Sequence, residues 1–218
     1  MELNKYDSTQ NEMMSEMCIL VDEQDTVIGS DSKKNCHYLE GKLHRAFSVL
    51  LFNSSGKLLI QKRASEKITF PSIWANSCCS HPLHIDSEIN GIEGAKTAAK
   101  RKMEQELGIN PKEIDLDKLN YITKMRYKAR ADKKWVEYEI DYIFAIKCDV
   151  EINPNQIEIE DTKYVDSDEL DNIFQDGKSR IGPWFRIIKE NFLNDIWKSL
   201  DCLKDIGDKK LHHMGDCE

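Results

Sequence analysis

The chain has 218 residues, 40% of them hydrophobic and 8% aromatic, an ordinary balance for one globular domain with a substantial core. Its formal net charge of −8 argues against a general nucleic-acid binder, and no apolar run approaches the roughly 20 residues of a membrane span. The 7 cysteines are odd in number and scattered, apart from the adjacent Cys78 and Cys79, so they read as free thiols of a reducing compartment.

Residues 1–16 are polar and mildly acidic, with neither a signal-peptide core nor transit-peptide composition. They are expected to form a flexible arm on a cytoplasmic protein. Met17 to Asp22 reads as a strand, and Asp25 to Gly29 turns it into a second. Lys33 to His37 follows as a polar connection. Leu43 to Phe52, the Gly56 turn and Lys57 to Arg63 read as a hairpin. Lys67 to Pro82 has two prolines and no period, which marks a functional loop.

Gly91 to Leu107 predicts a helix, with Ile92, Ala95, Ala99, Met103 and Leu107 at helical spacing and Gly108 as its C-cap. A second hairpin spans Ile122 to Tyr127 and Trp135 to Ile146, where Glu137, Glu139 and Asp141 share one face. Lys163 to Val165 is a short strand, and a helix from Asp168 follows a Ser167 cap. Pro183 to Leu200 reads as a long helix striped by Phe185, Ile188, Phe192, Ile196 and Leu200. Residues 201–218 are expected to be a charged, frayed tail. The domain is thus residues 17–200, of α+β class: an α/β/α sandwich in which a mixed sheet of hairpins is flanked by helices.

Three constellations carry chemistry. Cys79 lies two residues from His81 in a tight polar loop; alone, the pair fits a cysteine nucleophile with a histidine base, or two structural residues. His37, His44 and His81, with Glu137 and Glu139, form a three-nitrogen, two-oxygen set suited to a divalent transition metal. His212 and His213 in the tail read as a solvated terminus. Lys33, Arg63, Lys67 and Lys102 supply the positive charge that an anionic ligand requires.

The helix end from Arg101 to Ile109 resembles the phosphate-processing box of Nudix proteins, Arg-Glu-apolar-x-Glu-Glu-x-Gly-apolar. Arg101, Met103, Glu106, Gly108 and Ile109 fit, Glu93 falls on an earlier glutamate, and Lys102 and Gln105 replace two metal-binding glutamates. The wider set is similar to type I isopentenyl-diphosphate Δ-isomerases. It comprises Asn35-Cys36-His37, Leu43 to Ser48, Ile68 to Pro71, Asn76 to Pro82, Glu106-Leu107-Gly108, Tyr127-Lys128-Ala129, Glu137 to Tyr142 and Pro183-Trp184-Phe185.

That resemblance implies a Nudix-like fold and reversible isomerisation of isopentenyl diphosphate to dimethylallyl diphosphate through a tertiary carbocation. It implies Cys79 and Glu139 as the acid/base pair, Tyr127 in support of Glu139, and Trp184 as the aromatic face toward the cation. It implies His37, His44, His81, Glu137 and Glu139 around Zn²⁺, Mn²⁺ or Mg²⁺, and Glu106 on the Mg²⁺ of the diphosphate. Lys33, Arg63, Lys67, Ser80 and Lys102 match substrate-binding positions. The expected partner is a small allylic or homoallylic diphosphate, with no nucleic acid or membrane, and the chain is expected to be a monomer or weak dimer. The competing readings are a Nudix pyrophosphohydrolase and a non-catalytic, metal-stabilised binding module.

Overall fold

The computed structural model describes residues 8–217, within which ten strands join one mixed sheet. Helix α1 (Ser8–Met13) precedes the antiparallel pair β1 (Met17–Val21) and β2 (Val27–Ser32). The Ser32 hydroxyl then accepts from the Asn35 N–H and opens α2 (Lys33–His37). Strand β3 (His44–Phe52) is buried at all nine positions, the signature of a central strand covered on both faces. After it come β4 (Leu58–Arg63), β5 (Trp74–Ala75), β6 (Cys78–Ser80) and α3 (Gly91–Leu107). Gly108 ends α3 at φ 66°, where its N–H bonds to the Glu104 carbonyl. A side chain there would strike the Asn153 carbonyl, so glycine is required twice over.

Strands β7 (Asn120–Arg130) and β8 (Val136–Lys147) form the long hairpin, and β8 runs parallel to β3 with His44 opposite Glu139. Then come β9 (Ile159–Val165), α4 (Ser167–Gln175), α5 (Pro183–Ile188), a π-helical turn at Lys189–Leu193, α6 (Asn194–Lys198) and β10 (Leu211–Cys217).

Two apolar layers enclose the sheet. On one face Phe47, Val49, Leu51, Ile140 and Phe144 pack against Ala95, Ala99, Met103 and Leu107 of α3. On the other, Leu50, Phe52, Ile143 and Ala145 meet Phe185, Ile188, Leu193 and Ile196 of the C-terminal helices. This is the expected α/β/α sandwich. Among the described residues no helix is long and apolar enough to cross a membrane.

Several expectations change. Of the supposed arm, residues 1–7 lie outside the described residues, whereas Ser8–Met13 is helical and both Gln10 and Met14 are buried. The tail is not frayed: β10 lies parallel to β7 and satisfies an edge whose backbone groups would otherwise be open. Its composition hid it, because an edge strand with a solvated face can be polar. Residues 33–37 are a helical turn rather than a connection. The first hairpin is vestigial, since β3 and β4 pair only at Phe52 and Leu58 before β4 leaves to pair with β9 and β5. Strand β6 takes that edge of β3 instead, so the loop before Pro82 contains framework. Asp166, not Ser167, caps α4, in a capping box with Glu169. The π turn inserts a residue into the long helix, so Leu193 rather than Phe192 reaches full burial.

Candidate active site

Polarity switches along one sheet face. On β3 the alternate residues run His44, Ala46, Ser48, then Leu50 and Phe52; on β8 they run Glu137, Glu139, Asp141, then Ile143 and Ala145. The apolar half belongs to the core, and the polar half borders a pocket. Lys33, Arg63, Lys67, Cys79, Ser80, His81, Tyr127, Glu137, Glu139 and Trp184, ten residues expected at the site, all line it.

His37, His44 and His81 stand with ring centroids 4.7–4.9 Å apart, and Glu139 Oε1 lies 3.7, 3.5 and 2.8 Å from their Nε2 atoms in that order. His37 Nδ1 bonds the Lys33 carbonyl and His44 Nδ1 the Lys42 carbonyl, each at 2.7 Å. Those bonds require Nδ1–H, which leaves each Nε2 lone pair free; both Nε2 atoms are buried with no hydrogen-bond partner. Burial brings His37 down to about 4 and His81 well below its ordinary value; burial also pulls on His44, but Glu139 raises it overall. Burial alone would raise Glu139, yet the three imidazoles gathered at its Oε1, His81 Nε2 at hydrogen-bond distance, hold it well below the usual range. Converging buried nitrogen donors and an anionic oxygen fit a divalent metal ion. Glu137 falls outside this group. It lies one alternate position before Glu139 on β8, opposite Ala129 rather than beside His44.

Glu137 instead meets Tyr127. The Tyr127 hydroxyl lies 2.6 Å from Glu139 Oε2 and 3.0 Å from Glu137 Oε2. The hydroxyl is closest to Glu139 and reaches Glu137 at the longer distance, and burial with the Glu139 charge raises Glu137 to about 8. Asp141 is likewise raised, first by burial and then by Glu139, and takes a 2.8 Å bond from the Ser48 hydroxyl.

Alternation along β6 sends Cys78 into the α3 layer and Cys79 into the pocket. Burial pushes the Cys79 thiol up to about 12, against the opposing charge of Arg63, whose Nη1 lies 3.9 Å from Sγ. Near neutral pH Cys79 therefore rests as a thiol and not as a thiolate. The other guanidinium nitrogens of Arg63 bond the Phe70 and Thr69 carbonyls at 3.0 and 2.9 Å, and its plane sits 5.6 Å from the Trp184 ring.

Beside the pocket is a buried charge cluster. Lys67 Nζ bonds Glu158 Oε2 at 2.5 Å, and Gln10 of α1 bonds the other Glu158 oxygen. Lys102 Nζ is 3.0 Å from Glu106 Oε1, while Glu106 Oε2 has only the weak Cys78 thiol donor, 3.8 Å away. Lys102 and Glu106 thus sit behind the pocket wall, off its lining.

The NUDIX domain model matches residues 42–185. Isopentenyl-diphosphate Delta-isomerase 1 of Mus musculus is 45% identical, covering 95% of this chain and 96% of its own. The isopentenyl-diphosphate delta-isomerase of Schizosaccharomyces pombe is 42% identical, covering 97% and 96%. The chain belongs to the isopentenyl-diphosphate delta-isomerase family. Among solved structures, DR0079 from Deinococcus radiodurans superposes with a TM-score of 0.58 at 17% identity, over 81% of this chain and 99% of that one, a likeness of fold alone.

Within this family member the Nudix box is rewired. Glu93 is exposed, and Arg101 pairs instead with the buried Glu88 through two bonds of 2.6 and 2.9 Å. Glu88 Oε2 also accepts the Leu83 N–H, which ties α3 to the turn just after His81. Sequence reasoning missed Glu88 and Glu158, and it gave no role to Asn76, which heads the Asn76 to Pro82 motif, or to Asp141, whose signal is its place in the acidic alternation of β8.

Proposed function

We propose that the chain interconverts isopentenyl diphosphate and dimethylallyl diphosphate by protonation and deprotonation at opposite ends of the allylic unit. The observation that carries this reading is the supply of two separate proton-bearing centres, the Cys79 thiol and the Tyr127–Glu139 pair, to one buried pocket. Cys79 holds a proton at Sγ, and the charge left when it departs develops beside Arg63 Nη1. Glu139 is the carboxylate that takes up a proton at Oε2, where the Tyr127 hydroxyl fixes it. The Trp184 ring offers its π-face to positive charge formed between these groups. Burial of the lining excludes water from that charge.

His37, His44, His81 and Glu139 would hold one divalent ion (Zn²⁺, Mn²⁺ or Mg²⁺), which supplies positive charge that sets the proton affinity of the carboxylate. Glu106 is assigned to the Mg²⁺ that accompanies the diphosphate. Lys33, Arg63, Lys67 and Ser80, which line the pocket, supply donors and charge for the same anion, and Lys102 adds positive charge from behind the wall, in a cytoplasmic monomer or weak dimer. The test is incubation with isopentenyl diphosphate and a divalent metal, followed by assay for acid-labile dimethylallyl diphosphate. No product from a folded, metal-loaded sample overturns the reading; phosphate release would point to a hydrolase instead.

A further inference from the structure

Asn76 occupies the two-residue link between β5 and β6 and is fully buried. Its Nδ2 donates to the Val49 carbonyl at 3.1 Å and to the Cys78 carbonyl at 2.9 Å, and its Oδ1 accepts from Trp184 Nε1–H at 2.9 Å. Carbonyls only accept and an indole N–H only donates, so these partners fix which end of the amide points where. All of the donors on this amide are used. No other arrangement of the side chain satisfies the three partners.

The indole is confined by its remaining neighbours as well. Phe70 meets it edge-on at 5.5 Å, and a Cβ placed on Gly182 would come within 3.0 Å of its Cζ2. Contacts with Phe70, Gly182 and the Arg63 guanidinium restrict translation, whereas the bond to Asn76 is the indole's hydrogen bond among the described residues and sets the rotation of the ring about its own plane. The same amide grips the carbonyl of Cys78, one residue before the pocket thiol.

We infer that Asn76 is a positioning residue that holds the Trp184 ring face and the Cys79 strand in a fixed mutual orientation. Resting on the isomerase reading for its kinetic consequence, this extends that reading to a residue touching neither substrate nor metal. Loss of the amide leaves a buried indole N–H without an acceptor, and the ring turns to find one.

The test combines N76A, W184F and the double variant of the full chain. By NMR, the indole N–H resonance absent from W184F belongs to Trp184; its exchange with solvent is expected to be slow in the parent and at least roughly tenfold faster in N76A. With isopentenyl diphosphate, N76A is expected to lower kcat roughly tenfold while KM changes less than about threefold. In the W184F background N76A is expected to add little, the coupling that marks a residue acting through the indole. Should N76A fail to accumulate folded, N76S, too short to reach the indole, takes its place. Unchanged indole exchange, or the same loss of kcat in both backgrounds, overturns the inference. A parent enzyme without turnover overturns the proposed function, and the exchange measurement still decides the role of Asn76.

Discussion

Glu139 divides its two oxygens between Tyr127 and the histidines: Oε2 accepts from the Tyr127 hydroxyl at 2.6 Å, while Oε1 faces His37, His44 and His81. On the proposed mechanism, metal-facing and proton-transfer duties would thus fall on different atoms of one carboxylate. Tyr127→Phe should separate them. We expect kcat to fall roughly a hundredfold, the scale of a lost general acid–base contact, with metal content unchanged. Steady-state kinetics with metal analysis of the same samples checks this; a variant that loses its metal would show that Tyr127 supports both duties.

The adjacent thiols should respond in opposite ways. Cys79 lines the pocket, whereas Cys78 is sealed in the α3 layer. Cys79→Ala is expected to abolish turnover while leaving the melting temperature within a few degrees. Cys78→Ala should keep turnover and lose about 1 kcal/mol of stability through the small void it leaves. Assay and thermal melts of both variants decide the assignment, and a dead C78A beside an active C79A would reverse it.

The legible parts of the fold were those with local signals. Gly108 at the end of α3 and the acidic alternation from Glu137 to Asp141 reflect chain geometry that depends on neighbours in sequence. The pocket was legible through motif resemblance, because His37, His44, His81 and Glu139 meet only once β3, β6 and β8 are aligned. Glu158 was not legible: it is an acidic residue in a charged stretch, and its burial depends on Lys67 and Gln10, 91 and 148 residues away. The β10 strand was hidden for the same reason, its partner being an edge formed by β7.

Glu88 should govern metal affinity from a distance. Through Arg101 on one side and the Leu83 N–H on the other, it anchors the turn that presents His81. Glu88→Gln keeps the shape and removes the charge that holds Arg101. We expect divalent-metal affinity to weaken by about 10- to 100-fold, as for other residues that orient a ligand without touching the ion. Competition against a chelating dye measures it without substrate, and an unchanged affinity would refute the link.

Acid stability should report on Glu158. Burial works against its ionisation, but Lys67 and Lys102 bring it down to about 2 from an ordinary 4.5. A carboxyl depressed on folding stabilises the native state above its unfolded value, and that contribution is lost as pH falls from about 4.5 toward 2. The shift corresponds to at most about 3 kcal/mol. Lys67 offsets part of it, because burial first and Arg63 second hold its own value below normal. The carboxyl sets the acid window, since the penalty on charged Lys67 is constant across acid pH and is relieved only at high pH. Glu158→Gln should therefore lower stability near neutrality by a few kcal/mol, leaving two buried ammonium groups underpaired. It should also flatten the decline in urea midpoint between pH 5 and pH 3 relative to the parent. Parallel declines in the two proteins would mean that other carboxylates carry the acid sensitivity.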